Sequence, residues 1–202
     1  MKYHYIEQNT PEWDKLRLGR FTASSADKLL SAESTKGYQG LISRIVEEQY
    51  THEKTESGGF SGNVFTERGH ALEQDAINSF EFENGKYTVG KVGFVEVSEY
   101  IGCSPDGLIG DDSLIQVKCP IFTTQEDYLS KVKVPNNYYK QMQFEMLCTN
   151  TSSNWFYSYH PILSSVCIEV HRDKEMIIEI AKRLRKAINQ VELRLRRLNN
   201  GY

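Results

Sequence analysis

The sequence predicts a mixed α/β fold: helices first, then a small central β-sheet, then a closing helix packed back on it. Three observations carry that expectation. The first eighty-odd residues show helix-start residues and apolar positions at three- and four-residue steps. After Gly85, "YTVGKVGFVEVS", "LIQVKC", "NWFYSYHP" and "SVCIEVHR" alternate with period two and are rich in β-branched and aromatic residues. From Asp173 onward the spacing returns to helical.

In chain order, "TPEWDKLRLG" opens on Thr-Pro, a good cap and first-turn pair, and Gly19 ends it. "TASSADKLL" reads as a second short helix capped by Thr22 or Ser24. Residues 38 to 50 place Leu41, Ile42, Ile45 and Val46 on one face, and residues 67 to 83 turn Leu72, Ala76, Ile77 and Phe80 inward. Between them, "THEKTESGGFSGN" (51 to 63) has the Gly and Ser content of a mobile surface loop. Residues 136 to 148 suit a helix carrying Tyr139, Met142, Phe144 and Met146. The last element, Asp173 to Leu198, is amphipathic through Ile177, Ile180, Leu184, Ile188, Val191, Leu195 and Leu198.

A chain of 202 residues is most simply one domain, 1 to 202, long enough to bury a core. No apolar run approaches the ~20 residues of a spanning helix, and the N-terminus has no signal core, so a cytoplasmic protein is expected. Cys103, Cys119, Cys148 and Cys167 are scattered, which argues against a zinc site or disulfide framework and for buried free thiols. The net charge of −3 argues mildly against nucleic acid, but charge is uneven: the segment from Asp173 carries +4, leaving −7 for the rest. An acidic remainder fits either repulsion of DNA or carboxylates gathered around metal ions.

The stretch "CSPDGLIGDDSLIQVKCP", residues 103 to 120, carries the chemistry. "SPDG" reads as a turn around Asp106, fixed by Pro105 and Gly107, and "LIQVKCP" as a strand. Alternation then puts Gln116 and Lys118 on one face and Ile115, Val117 and Cys119 toward the core. A short hairpin would bring Asp106 beside that pair, giving an acid, an amide oxygen and an ammonium on one sheet edge. Phosphodiester hydrolysis uses such a set: carboxylates hold Mg²⁺, and a lysine orients water or stabilises the transition state. On spacing alone, a turn Asp and solvated Gln and Lys remain the plainer alternative.

"PDG", about ten residues, then acid–apolar–Lys resembles the motif of the PD-(D/E)XK nuclease superfamily. "WDKLRLGRFTAS", "RGHALEQDA", "CSPDGL" with "VKCP", and "YYKQMQFEM" followed by "NWFYSYHP" narrow the resemblance to the phage lambda exonuclease and YqaJ viral-recombinase family. They come in family order, up to Pro161. The resemblance implies a restriction-endonuclease-like domain with a central mixed sheet flanked by helices. It also implies a metal site of Asp106, residue 116, the Val117 carbonyl and Glu73, with Lys118 catalytic; without it, Glu73 is one surface acid among many. The implied cofactor is Mg²⁺, with Mn²⁺ a possible substitute.

Gln116 departs from the family's Glu or Asp. It keeps the size and one carbonyl oxygen but loses a full negative charge, so metal affinity and activity should both fall. A deliberate Glu→Gln change that traps a DNA complex and a natural variant both fit; the first is preferred, because the rest of the motif is complete.

The resemblance further implies a 5′-phosphate pocket of Arg17, Ser24, Ser104 and Gln141. Singly these read as a salt bridge, a helix cap, a turn hydroxyl and a solvated amide. The reaction implied is 5′→3′ degradation of one strand of linear duplex DNA to 5′-mononucleotides, in phage-type recombination within a bacterial host. The implied partners are duplex DNA with a 5′-phosphorylated end, a single-strand annealing protein, and two further copies of the chain in a homotrimeric ring. The basic C-terminal helix reads as a solvated outer face more readily than as a channel lining. A structure- or site-specific endonuclease, and a DNA-end binder with a decayed motif, are the rival readings.

Overall fold

The computed structural model describes residues 1–55 and 64–201. Residues 56–63, most of the expected surface loop, lie outside the described residues; Thr51 belongs to the preceding helix.

Two sheets organise the fold where one was expected. Strands β1 (Lys2–His4), β2 (Phe21–Thr22), β4 (Phe94–Glu96) and β5 (Ile101–Cys103) form the smaller sheet, in the order β1-β4-β5-β2. Strands β3 (Val89–Gly90), β6 (Gly107–Ile109), β7 (Ser113–Lys118), β8 (Ser153–Ser158) and β9 (Val166–His171) form the larger, in the order β3-β6-β7-β8-β9. In the larger sheet β7 and β8 run parallel while the other neighbours are antiparallel, so the sheet is mixed as expected. Strands of two or three residues such as β1 and β2 are too short to leave an alternation in the sequence, which is why the smaller sheet was not foreseen.

The helices follow the caps. Helix α1 (Pro11–Arg17) starts at Thr10, whose hydroxyl accepts from the Trp13 N–H at 3.3 Å. "TASSADKLL" divides into a 3₁₀ turn (Ala23–Ser25) and α2 (Ala26–Leu30), and neither Thr22 nor Ser25 caps through its side chain. The expected cap at Thr22 or Ser24 is therefore corrected: Ser24 lies inside the 3₁₀ turn and bonds sideways to Thr22 and Arg17. Helix α3 (Lys36–Thr51) is capped by Thr35 and stops at His52 in the left-handed region. Helices α4 (Val64–Glu83), α6 (Asn136–Thr149) and α7 (Lys174–Asn199) match expectation. Leu198, placed on the apolar stripe of α7, is exposed because the last turns of that helix run beyond the core. Helix α5 (Phe122–Lys131) was unforeseen; its one buried residue is Gln125, and its apolar contact with the core is confined to Tyr128 against Phe156, too little to leave a stripe.

The larger sheet is covered on both faces. Ala76, Ile77 and Phe80 of α4 pack with Ile115, Val117 and Tyr157 on one side. Met142 and Met146 of α6 pack with Leu114 and Phe156 on the other. The smaller sheet shares a third core with α2, α3, α6 and α7, including Phe21, Ile42, Ile45, Val95, Phe144 and Ile180. Of the cysteines, Cys103 and Cys148 are buried, Cys119 is partly buried, and Cys167 is exposed, against the expectation of uniformly interior thiols; all four are free. Cys167 stands on the outward face of β9, the sheet's edge strand.

Candidate active site

The hairpin of β6 and β7 builds the site. Its register pairs Gly107 with Ile115, Leu108 with Leu114 and Ile109 with Ser113. Continued by one residue, that register sets Asp106 opposite Gln116. The chain bends at Asp106 as "SPDG" suggested, and the hairpin itself turns at Gly110, whose φ of +57° suits glycine. Gly107 is needed for a different reason: a Cβ there would lie 2.2 Å from Val89 Cγ1 on the neighbouring strand. Gln8 steadies the approach by donating to the Pro105 carbonyl at 2.9 Å.

One expectation about this strand pair needs correcting. Strand β7 is the middle strand of the larger sheet, so Gln116 and Lys118 face helix α6 and do not line a sheet edge. Gln116 is accordingly 1% exposed and Lys118 only partly so. Ile115 and Val117 point to the α4 side, as alternation required.

Burial forces the polar groups on this face to satisfy one another. Asp106 Oδ2 accepts from the Gln116 side-chain nitrogen and, at 2.7 Å, from the Val117 backbone N–H. Gln116 Oε1 accepts from Gln141 Nε2, which also donates to Glu145 Oε1 at 2.9 Å. Glu145 Oε2 accepts from Asn154 Nδ2 at 2.9 Å. Four side chains thus form one chain, Asp106–Gln116–Gln141–Glu145. Burial, with Asp106 adding to it, pushes the Glu145 carboxyl up to about 8; bonds from Gln141 and Asn154 and the charge of Lys118 pull the other way. The Lys118 ammonium lies 5.0 Å from the centre of the Tyr138 ring.

A second cluster adjoins the first across Pro105. Ser104 Oγ accepts from Trp13 Nε1 and from Arg17 Nη1, each at 3.0 Å, so the hydroxyl keeps its own hydrogen to donate. Arg17 also reaches Ser24 Oγ at 3.4 Å and stacks 4.1 Å from the Trp13 ring centre. Burial lowers the Arg17 guanidinium to about 10, which leaves it a cation at neutral pH. Gln141 bonds into the other group, to Gln116 and Glu145. Glu73 sits half-buried on α4, one turn before the Ala76–Ile77 pair that packs on β7.

Residues 12–152 match the model of the YqaJ-like viral recombinase domain. The chain belongs to the YqaJ-like viral recombinase family. Its fold is similar to that of an alkaline exonuclease from Laribacter hongkongensis, at 29% identity and a TM-score of 0.86, over 95% of this chain and 97% of that one. A phage-related exonuclease from Haemophilus somnus shares the fold at 16% identity and a TM-score of 0.67, over 89% of this chain and 96% of that one. No curated protein matches the sequence. In this YqaJ-family chain, sequence reasoning missed Glu145, Asn154, Trp13 and Gln8. Glu145 had a signal, an acid four residues after Gln141 in "QMQFE" and hence on its face. The other three make contacts between distant segments; Trp13 and Asn154 stood in the family-like stretches without a role, and Gln8 had no signal.

The Asp106 carboxylate is a hard oxygen donor of the kind that suits Mg²⁺ better than a softer metal, but it is met here by the Gln116 amide nitrogen and the Val117 N–H. Among the described residues no three His, Cys, Asp or Glu side chains gather into a metal site. Residue 116 is an amide, and its N–H faces Asp106.

Proposed function

We propose that this chain is a Mg²⁺-dependent 5′→3′ exonuclease that degrades one strand of linear duplex DNA to 5′-mononucleotides in phage-type recombination, with activity lowered by Gln116. The observation that carries the reading is Asp106 set against Gln116 and Val117 on β7, two residues before Lys118, beside the Arg17–Ser104 cluster. The Laribacter protein has also been solved in complex with dAMP, a mononucleotide of the kind such a reaction releases.

Asp106, Glu73 and the Val117 carbonyl would hold the cation, with the Gln116 amide beside Asp106 where a carboxylate would bind more strongly. A Mg²⁺ ion held there would activate a water and neutralise charge on the phosphate. Lys118 orients that water or stabilises charge on the phosphoryl oxygens, its ammonium held in place by Tyr138. Arg17 grips the terminal 5′-phosphate with its fork of donors, and the Ser104 and Ser24 hydroxyls add hydrogen bonds. Gln141 aligns Gln116 from its other end. Mn²⁺ would substitute for Mg²⁺. A homotrimeric ring in the bacterial cytoplasm, handing the 3′ strand to a single-strand annealing protein, completes the reading. Among the described residues no helix is long and apolar enough to cross a membrane.

The test compares this chain with its Gln116→Glu variant on linear 5′-phosphorylated duplex and on covalently closed circles, with Mg²⁺. Loss of linear DNA alone, faster with glutamate, supports the exonuclease. Cutting of circles would point to an endonuclease, and binding of ends without cutting by either protein to a decayed end binder.

A further inference from the structure

Glu145 is a buried ionisable group that the reaction above leaves unused. It is fully buried on α6, where an acid costs several kcal/mol unless something compensates. Both its oxygens are engaged, by Gln141 and Asn154. Asp106 repels its charged form and Lys118 attracts it, so it belongs electrostatically to the same site. Asn154 is fully buried beside it, and its Oδ1 is a buried acceptor with no hydrogen-bond partner among the described residues. Side chains arranged only to hold α6 against β8 would not need a carboxyl group here and would not leave that oxygen unmet.

The link to Asp106 is directional. Gln141 Nε2 has two hydrogens, and they go to Glu145 and to Gln116 Oε1. With its oxygen committed, Gln116 turns its own nitrogen to Asp106. A carboxylate two amides away therefore governs how residue 116 faces the acid. We infer that Glu145 is a positioning residue whose carboxylate, buried next to the Asp106 site, offsets through space the negative charge that residue 116 lacks, and so supports a divalent cation at Asp106. The inference rests on the proposed reading of Asp106 as a cation ligand. An anion nearby raises a buried carboxyl, whereas a cation arriving at the same place favours its ionised form. In a poorly screened interior, one charge at such a remove changes cation affinity on the order of tenfold.

Calorimetric titration of MnCl₂ into the whole chain without DNA tests this, at pH 9, where Glu145 is already ionised. The proteins are this chain, Glu145→Gln, Gln116→Glu, the double variant, and Asp106→Asn. Glu145→Gln should weaken binding on the order of tenfold, and by less than about threefold when residue 116 is glutamate, because that carboxylate makes up the charge. Equal losses in both backgrounds, or none beside Gln116, would overturn the inference while leaving the Asp106 site standing. Binding that is indifferent to Asp106→Asn would remove the site itself and this role with it. Glu145→Gln keeps shape and removes a buried charge, so it should melt no lower than the parent at pH 9. A lower melting temperature would mark the acid as merely structural and would also overturn the inference.

Discussion

The side-chain nitrogen of Gln116 donates to Asp106 Oδ2, the oxygen that also receives the Val117 N–H at 2.7 Å. A glutamate at 116 would replace that donor with a second anion. Gln116→Glu should therefore destabilise the metal-free protein by about 1–3 kcal/mol, the cost of a lost buried donor, while gaining more from added Mg²⁺ than the parent does. Melting curves with and without MgCl₂ check this. Equal Mg²⁺ shifts for both proteins would contradict it.

The raised Glu145 carboxyl makes stability depend on pH with a definite sign. Its folded value is about 8, above the unfolded carboxylate range, so folding favours the protonated form. The advantage is complete below the unfolded value and is lost as pH rises through about 8. Urea unfolding of the parent and Glu145→Gln at pH 5 to 9 should show the variant gaining relative stability with rising pH, levelling off above about 8. A difference independent of pH would show that Glu145 does not titrate in that window.

Arg17 joins Ser104 and Ser24 beneath the Trp13 ring, with Arg17 and Ser104 holding donors in reserve. Arg17→Ala should lower affinity for 5′-phosphorylated duplex ends by about 10- to 100-fold, the worth of charge-assisted hydrogen bonds, and leave binding of 5′-hydroxyl ends little changed. Fluorescence anisotropy on the two ends separates the outcomes. Equal losses on both would make Arg17 a general backbone contact.

Gly107 is held by the approach of Val89 across β3 and β6. Gly107→Ala forces a methyl into that contact and should cost about 1–3 kcal/mol of stability, read by urea unfolding. Gly110→Ala meets no atom within 4 Å and should lose only about 1 kcal/mol, through its left-handed backbone.

Much of this was legible in the sequence, and the gaps have physical causes. The long helices declared themselves through apolar spacing, because each buries one face, and the short α1 through its Thr10–Pro11 start. Helix α5 buries only Gln125, so no pattern marked it. The pairing of Asp106 with Gln116 followed from one short hairpin, and the sequence showed it once "SPDG" was read as the bend that leads into that hairpin. The depth of the site was not legible. Alternation tells which residues share a face of β7, but whether α6 covers that face depends on a connection through α5 that leaves no local trace. For the same reason Glu145 was passed over, although its spacing from Gln141 was in plain view.

The most direct measurement is Mg²⁺-dependent release of mononucleotides from linear 5′-phosphorylated duplex by Gln116→Glu and by Gln116→Glu carrying Asp106→Asn. The first should digest one strand from its 5′ end, and the second should be slower by at least about 100-fold, since the anchoring carboxylate is gone. Equal rates for the two, or no digestion by Gln116→Glu in Mg²⁺ or Mn²⁺, would contradict a nuclease centred on Asp106.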